Sequence, residues 1–335
     1  MTFLLRYSSS PPFLSEKGSI AMRMISQFIL FASVSLSFSS GAQPYVYSSN
    51  EGSGTISKID TANNTVEKTT ESIGVPRGIS VSPDGAYVYI SEQSKSQILQ
   101  IETATMQVKN HASVGKSPEA LYVSKDGKYV TVANEDDNTV SVVDATSLKT
   151  IRTIAVKGKN PEHAVMSPDG KYIFVSAEES DKVDVIDVAK HMQIKQIQVG
   201  VRPRGIAFTP DGKTAVVACE AASTVFFIDV KKLSVIGQLQ AGSKSNGVSI
   251  SPDGKLAYIS NGGDGTVHFV DIATRTIAAT APVGQRPWNM ALNQDGSKLY
   301  VANGRSNSVS VVDIKNPSAQ LEIPVGKRPW GVAGQ

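Results

Sequence analysis

At one recurring position of this 335-residue chain, just after a loop proline or its substitute, the residue type changes from one occurrence to the next: Arg77, Glu119, Glu162, Arg204, Asn246, Trp288 and Trp330. Two guanidinium groups, two carboxylates, an amide and two indoles form a set suited to recognition, because Arg and aromatic side chains are enriched where binding energy concentrates. Arg286 and Arg328 precede the two indoles, in Arg286-Pro287-Trp288 and Lys327-Arg328-Pro329-Trp330, a spacing that can set a cation over a ring. His163 follows Glu162 where sibling positions hold Gly78, Gly205, Gly247 or Gly331. With Glu119 and Glu178 it offers a hard divalent cation an oxygen-rich site, and a base beside it. A zinc site built on several histidines is not available here, since His111, His191 and His268 fall in an outer strand, a turn and a third strand. The sequence contains no nucleophile motif, no Gly-rich loop opening a helix and no cysteine cluster. Binding is therefore the first reading and metal-assisted hydrolysis the second. A solvated ring, with Trp288 and Trp330 covering strand ends, is the plain alternative.

The elements that must carry these residues are short and repeated. Val199 to Asp229 reads as strand, Thr209-Pro210-Asp211-Gly212 turn, strand, short loop, strand. Pro presets φ, Asp hydrogen-bonds its own backbone and Gly tolerates the left-handed ending, so the turn has a mechanism. Its glycine recurs as Gly85, Gly127, Gly170, Gly212, Gly254 and Gly296, spaced 42, 43, 42, 42 and 42 residues apart. An acidic residue closing the third strand keeps step at Asp60, Glu102, Asp144, Asp187, Asp229, Asp271 and Asp313. Such aspartates satisfy turn amides and are expected to cap rather than to bind metal. A four-stranded unit of this length is a propeller blade. Seven acidic marks against six complete Asp-Gly turns predict seven blades. The last is composite: Tyr45-Val46-Tyr47 supplies a second strand and Pro329-Trp330-Gly331-Val332 the first, which closes the ring and removes both sheet edges.

In this arrangement the Asp-Gly turns and acidic marks share one face. The opposite face carries the variable positions, expected to rim the channel. The loops after the second strand share it further out: Asn50-Glu51, Glu92, Asn134-Glu135, Glu178-Glu179, Glu220, Asn261 and Asn303.

The rest of the chain is read from composition. Residues 1 to 21 show no periodicity and are expected to be disordered, or to precede the true start at Met22 or Met24. Met22 to Ala42 has the basic start, short apolar core (Ile25 to Phe38) and small-residue exit of a signal peptide, with cleavage expected after Ala42. Its core is too short to span a bilayer, and an uncleaved interfacial anchor is the alternative. The remainder, residues 43 to 335, is expected to be the propeller and carries 30 basic against 29 acidic residues. So balanced a chain gives no electrostatic case for nucleic acid or an anionic membrane. The single cysteine, Cys219, rules out an internal disulfide and sits at the end of an apolar strand, where an inert buried thiol is expected.

Ser167-Pro168-Asp169-Gly170-Lys171 before Tyr172-Ile173-Phe174-Val175-Ser176, Leu299-Tyr300-Val301-Ala302-Asn303, and Thr139-Val140-Ser141-Val142-Val143-Asp144 resemble the YVTN family of β-propeller repeats across residues 45 to 333. The segments 201 to 208, 285 to 291 and 327 to 333, each with Arg-Pro-Arg or Arg-Pro-Trp, are similar to periplasmic propellers associated with pyrroloquinoline quinone (PQQ)-dependent alcohol catabolism. That resemblance implies a non-catalytic accessory binding protein serving a quinoprotein dehydrogenase or cytochrome; with the leader, the chain is expected to be periplasmic, and to be a monomer with no cofactor of its own. Ser245-Asn246 and Glu162-His163 depart from the Arg-Pro pattern.

Overall fold

A computed structural model describes residues 45–318 and 320–334. The leader assigned to Met22–Ala42, and the segment before it, lie outside the described residues. Seven four-stranded antiparallel sheets make up the described chain, with two one-turn 3-10 helices, Gln93–Lys95 and Glu178–Ser180, as its helical content. The chain is all-β, a seven-bladed propeller. Six blades are contiguous in sequence, such as Pro203–Phe208, Thr214–Cys219, Thr224–Asp229 and Ser234–Gln240 from inner to outer strand. The seventh is composite, as the unequal repeat marks predict. Pro329–Ala333 pairs with Tyr45–Asn50, setting Tyr47 opposite Ala333 and Ser49 opposite Gly331. No helix among the described residues is long and apolar enough to cross a membrane.

The two faces are built by different chemistry. On one, Ser82 Oγ donates to Asp84 Oδ1 at 2.6 Å, Asp84 Oδ1 accepts the Ala86 amide at 3.0 Å, and Gly85 turns the chain at φ +70°. Ser124 with Asp126, Ser167 with Asp169, Thr209 with Asp211 and Ser251 with Asp253 repeat this arrangement. The strand-closing acids also serve their own turns; Asp60, Asp229 and Asp271 accept amides two or three residues on. Capping is therefore what these aspartates do. Between blades, alternate apolar side chains interlock, as where Val183 and Val185 pack on Ile206, Ala215 and Val217. Each buried Val or Ile among them contributes about 1.5–3 kcal/mol.

One local irregularity aims the inner strands. In the blade of Pro76–Val81 the ladder pairs Pro76 with Glu92 and then Ile79 with Ile90, so Arg77 and Gly78 fall out of register. The Gly78 amide is taken instead by Ser91 Oγ at 2.7 Å. Ser176 serves His163, Ser260 serves Gly247 and Ser49 serves Gly331 in the same way. Such bulges re-aim side chains. Here they turn the variable position toward the axis. A Cβ on Gly205 would lie 2.5 Å from the Asn246 carbonyl, which shows how closely the inner strands converge.

Candidate functional site at the channel mouth

The backbone first fixes where the mouth lies. The residue leading into each of six inner strands is left-handed: Ser117, Asn160, Arg202, Lys244, Arg286 and Arg328 have φ between +50° and +63°. For non-glycine residues that conformation costs roughly 1 kcal/mol or more each. It aims each carbonyl at the loop after the second strand: Glu135 donates its amide to Ser117, Glu178 to Asn160, Glu220 to Arg202 and Glu51 to Arg328. Loops expected to lie further out are thus stitched to the inner strands. Glu51, Glu135, Glu178 and Glu220 join the mouth, a correction to the outer placement. Glu92 does not; it caps the Gln93–Lys95 turn through the amides of Ser94 and Lys95.

Ion pairs then link blade to blade. Arg77 bonds Glu51 Oε1 through Nε and Nη2 at 3.2 and 3.1 Å and reaches Glu119 Oε1 through Nη1. Arg204 holds Glu162 at 2.5 Å, Glu178 at 3.0 Å and Glu220 at 3.0 Å. Arg202 holds Glu178 at 2.5 Å, Arg286 holds Glu220 at 2.6 Å, and the exposed Arg328 reaches Glu51 at 3.3 Å. Glu119 and Glu162 are buried, so the ring is not a solvated rim. Buried carboxylates persist only when paired or protonated. Burial and the neighbouring Glu162 push the Glu119 carboxyl well above the usual range, despite Arg77. Glu220, though burial opposes it, is drawn below that range by Arg204 and Arg286.

Aromatic side chains meet at the same mouth. His163 is 1% exposed, stacks on Trp330 with centroids 6.2 Å apart, and shares a 2.6 Å hydrogen bond between Nδ1 and Tyr122 Oη. Burial lowers its pKa to about 4, so the ring is neutral near pH 7. Trp330 is also buried and meets Trp288 edge to face at 6.0 Å. Arg286 lies over the Trp288 ring at 5.7 Å, the cation–aromatic contact expected from their spacing, whereas Arg328 turns to Glu51. Asn246 is buried on the same inner-strand position.

The expected metal set does not assemble as drawn. Glu178 is taken by Arg202 and Arg204, and His163 Nδ1 by Tyr122. Glu119, Glu135 and Glu162 come together instead, each offering one oxygen within 4.8 Å of the others. That span is about twice a Ca–O distance, so one hard cation could touch all three. Glu135, named with its loop, escaped the sequence reading as a ligand because nothing in the repeat shows that its loop folds inward. Arg202, Lys244 and Arg305 escaped it as well. The first two had a signal: with Arg286 and Arg328 they place a basic residue just before four successive inner strands.

Unsatisfied atoms gather here. Nine buried side-chain polar atoms among the described residues lack a hydrogen-bond partner, and five belong to this mouth: Glu119 Oε2, His163 Nε2, Arg286 Nη1, Trp288 Nε1 and Glu51 Oε2, the last meeting Arg328 only as a 3.3 Å ion pair. Native proteins tolerate few such atoms, and each calls for an explanation.

Comparisons with known proteins agree with this architecture. The model of the YNCE-like β-propeller family matches residues 119–209. No curated protein is matched. Among solved structures, a chain of Kuenenia stuttgartiensis hydrazine synthase superposes with a TM-score of 0.73 at 23% identity, covering 81% of this chain and 92% of its own. A functionally unknown protein from Desulfotomaculum acetoxidans superposes with a TM-score of 0.73 at 16% identity, covering 84% of this chain and 100% of its own. Likeness at these identities establishes the fold alone. The model of the seven-bladed β-propeller lactonase family matches residues 44–147 and 188–329, well over half of the sequence, and the chain belongs to that family.

Proposed function

We propose that this propeller is a binding protein of the cell envelope whose working surface is the channel mouth, serving a PQQ-dependent alcohol-oxidising system by docking its quinoprotein dehydrogenase or cytochrome. The observation that carries the reading is the gathering at this mouth of buried polar atoms without a hydrogen bond, on Glu119, His163, Arg286 and Trp288. The opposite face, by contrast, spends its aspartates on its own turns. Buried polar groups left unsatisfied cost stability, and such broken rules are expected at functional sites. The Arg-Pro-Trp segments and the leader-like Met22–Ala42 stretch support the envelope and dehydrogenase setting. The test uses the propeller as bait in periplasmic extract. A quinoprotein dehydrogenase or a haem-bearing cytochrome is expected to be retained by the wild type and released by Trp288→Ala. Capture that Trp288→Ala leaves unchanged, or bait that retains neither protein, would end the proposal.

A second reading, lactone hydrolysis assisted by a metal, is favoured by the family match and by the carboxylate trio. Glu119, Glu135 and Glu162 would hold the ion, which would polarise a lactone carbonyl or activate water. His163 would then serve as base only through Nε2, its one free nitrogen. Calorimetric titration with Ca²⁺, Mg²⁺ and Mn²⁺ beside a lactone turnover assay decides it. Metal uptake abolished by Glu135→Gln, together with turnover, is the expected pair of results. A protein that takes up no ion and opens no lactone removes the reading.

A further inference from the structure

The charges of the mouth are not spread evenly around it. Its acidic side holds Glu119, Glu135 and Glu162, where the left-handed lead-in residues are the uncharged Ser117 and Asn160. On the other side the same repeat position is basic in four successive blades, as Arg202, Lys244, Arg286 and Arg328. All four line one cavity of about 400 Å³, together with Arg305, Trp288 and a single acid, Glu220. That volume is in the range of small-molecule sites. Arg202 is matched by Glu178, Arg286 by Glu220 and Arg328 by Glu51. Lys244 and Arg305, both exposed, have no ion-pair partner among the described residues. Two further donors, Arg286 Nη1 and Trp288 Nε1, are buried without an acceptor. The cavity therefore has two uncompensated positive charges beside three paired ones, a setting that favours an acceptor-rich, negatively charged group.

We propose that this cavity binds a small organic oxyanion of at least two negative charges, held by Lys244 and Arg305, with the guanidinium groups of Arg202, Arg286 and Arg328 around it. Binding here rests on the channel mouth being the working face, as proposed above, and needs no protein partner. Arg286 is held in place by Glu220 before the ligand arrives, which lowers the ordering left for the moment of binding. Arg forks match carboxylate and phosphate oxygens equally well, and the test separates the two.

Titration calorimetry with citrate, inorganic phosphate and the uncharged trimethyl citrate would be run on the wild type and on Lys244→Gln/Arg305→Gln. Both substituted residues are exposed, and circular dichroism would check that the variant keeps the fold. Saturable citrate or phosphate binding is expected, weakening with added salt and falling by at least about 10-fold in the double variant. Citrate ahead of phosphate identifies a polycarboxylate ligand, and phosphate ahead of citrate a phosphate ester; either order upholds the site. No saturable binding of either anion at millimolar concentration, equal affinity in the double variant, or trimethyl citrate binding as tightly as citrate overturns it. Retention of a dehydrogenase without anion binding would sink this site alone, and anion binding without retention would sink the docking proposal alone.

Discussion

Single residues at the mouth are specialised by where the fold puts them. His163 stands where four sibling blades carry glycine, and its imidazole fills channel space beside Tyr122 and Trp330. The ring is neutral in the folded state, with Glu162 favouring its proton and Arg204 opposing it, while burial decides the outcome. Its folded pKa of about 4 lies below the ordinary 6.5, so folding excludes a proton that the unfolded chain would accept. The stability linked to this group is fully present above about pH 6.5 and is lost as pH falls toward 4. The full difference is on the order of 3 kcal/mol. Urea unfolding from pH 8 to 4 is therefore expected to show a steeper loss for the wild type than for His163→Gln. Proton NMR should find the His163 ring unprotonated at pH 5.5; a ring that titrates near 6.5 would refute its burial.

At the scale of the element, strand and turn were legible because their causes are local. Asp-Gly turns need a left-handed residue and a side-chain acceptor, and those residue types stand in the sequence at a fixed period. The bulge in each inner strand is less visible. Its trace is the serine of the second strand, Ser91, Ser176 or Ser260, whose hydroxyl takes the amide left out of the ladder. The inward fold of the second-strand loops had no local signature. It follows from hydrogen bonds between the Glu135, Glu178 and Glu220 amides and carbonyls about twenty residues earlier in the chain. That is why the repeat alone puts Glu135 and Glu178 further out and groups His163 with Glu119 and Glu178, where the fold groups Glu119, Glu135 and Glu162.

For the whole molecule, closure is the decisive event. The composite blade joins strands some 280 residues apart, with Ser49 Oγ accepting the Gly331 amide and donating to the Arg77 carbonyl. Removing residues 329–335 would strip that blade of its inner strand, leave the Tyr45–Asn50 edge unpaired and take Trp330 out of the channel. Such a truncation is expected to replace one cooperative thermal transition by a broad one at lower temperature, followed by circular dichroism. A truncated protein melting as sharply and at the same temperature would show that closure contributes little.

Taken alone, the sequence determined the blade, the number of blades and the face on which residue types are free to vary. Each of these follows from periodicity and turn chemistry within one repeat. Only the tertiary structure decided which charges neutralise one another and which are left over. Ion pairs such as Arg77–Glu119 and Arg286–Glu220 cross from blade to blade, and the distances that rank them exist only once seven inner strands have converged on one axis.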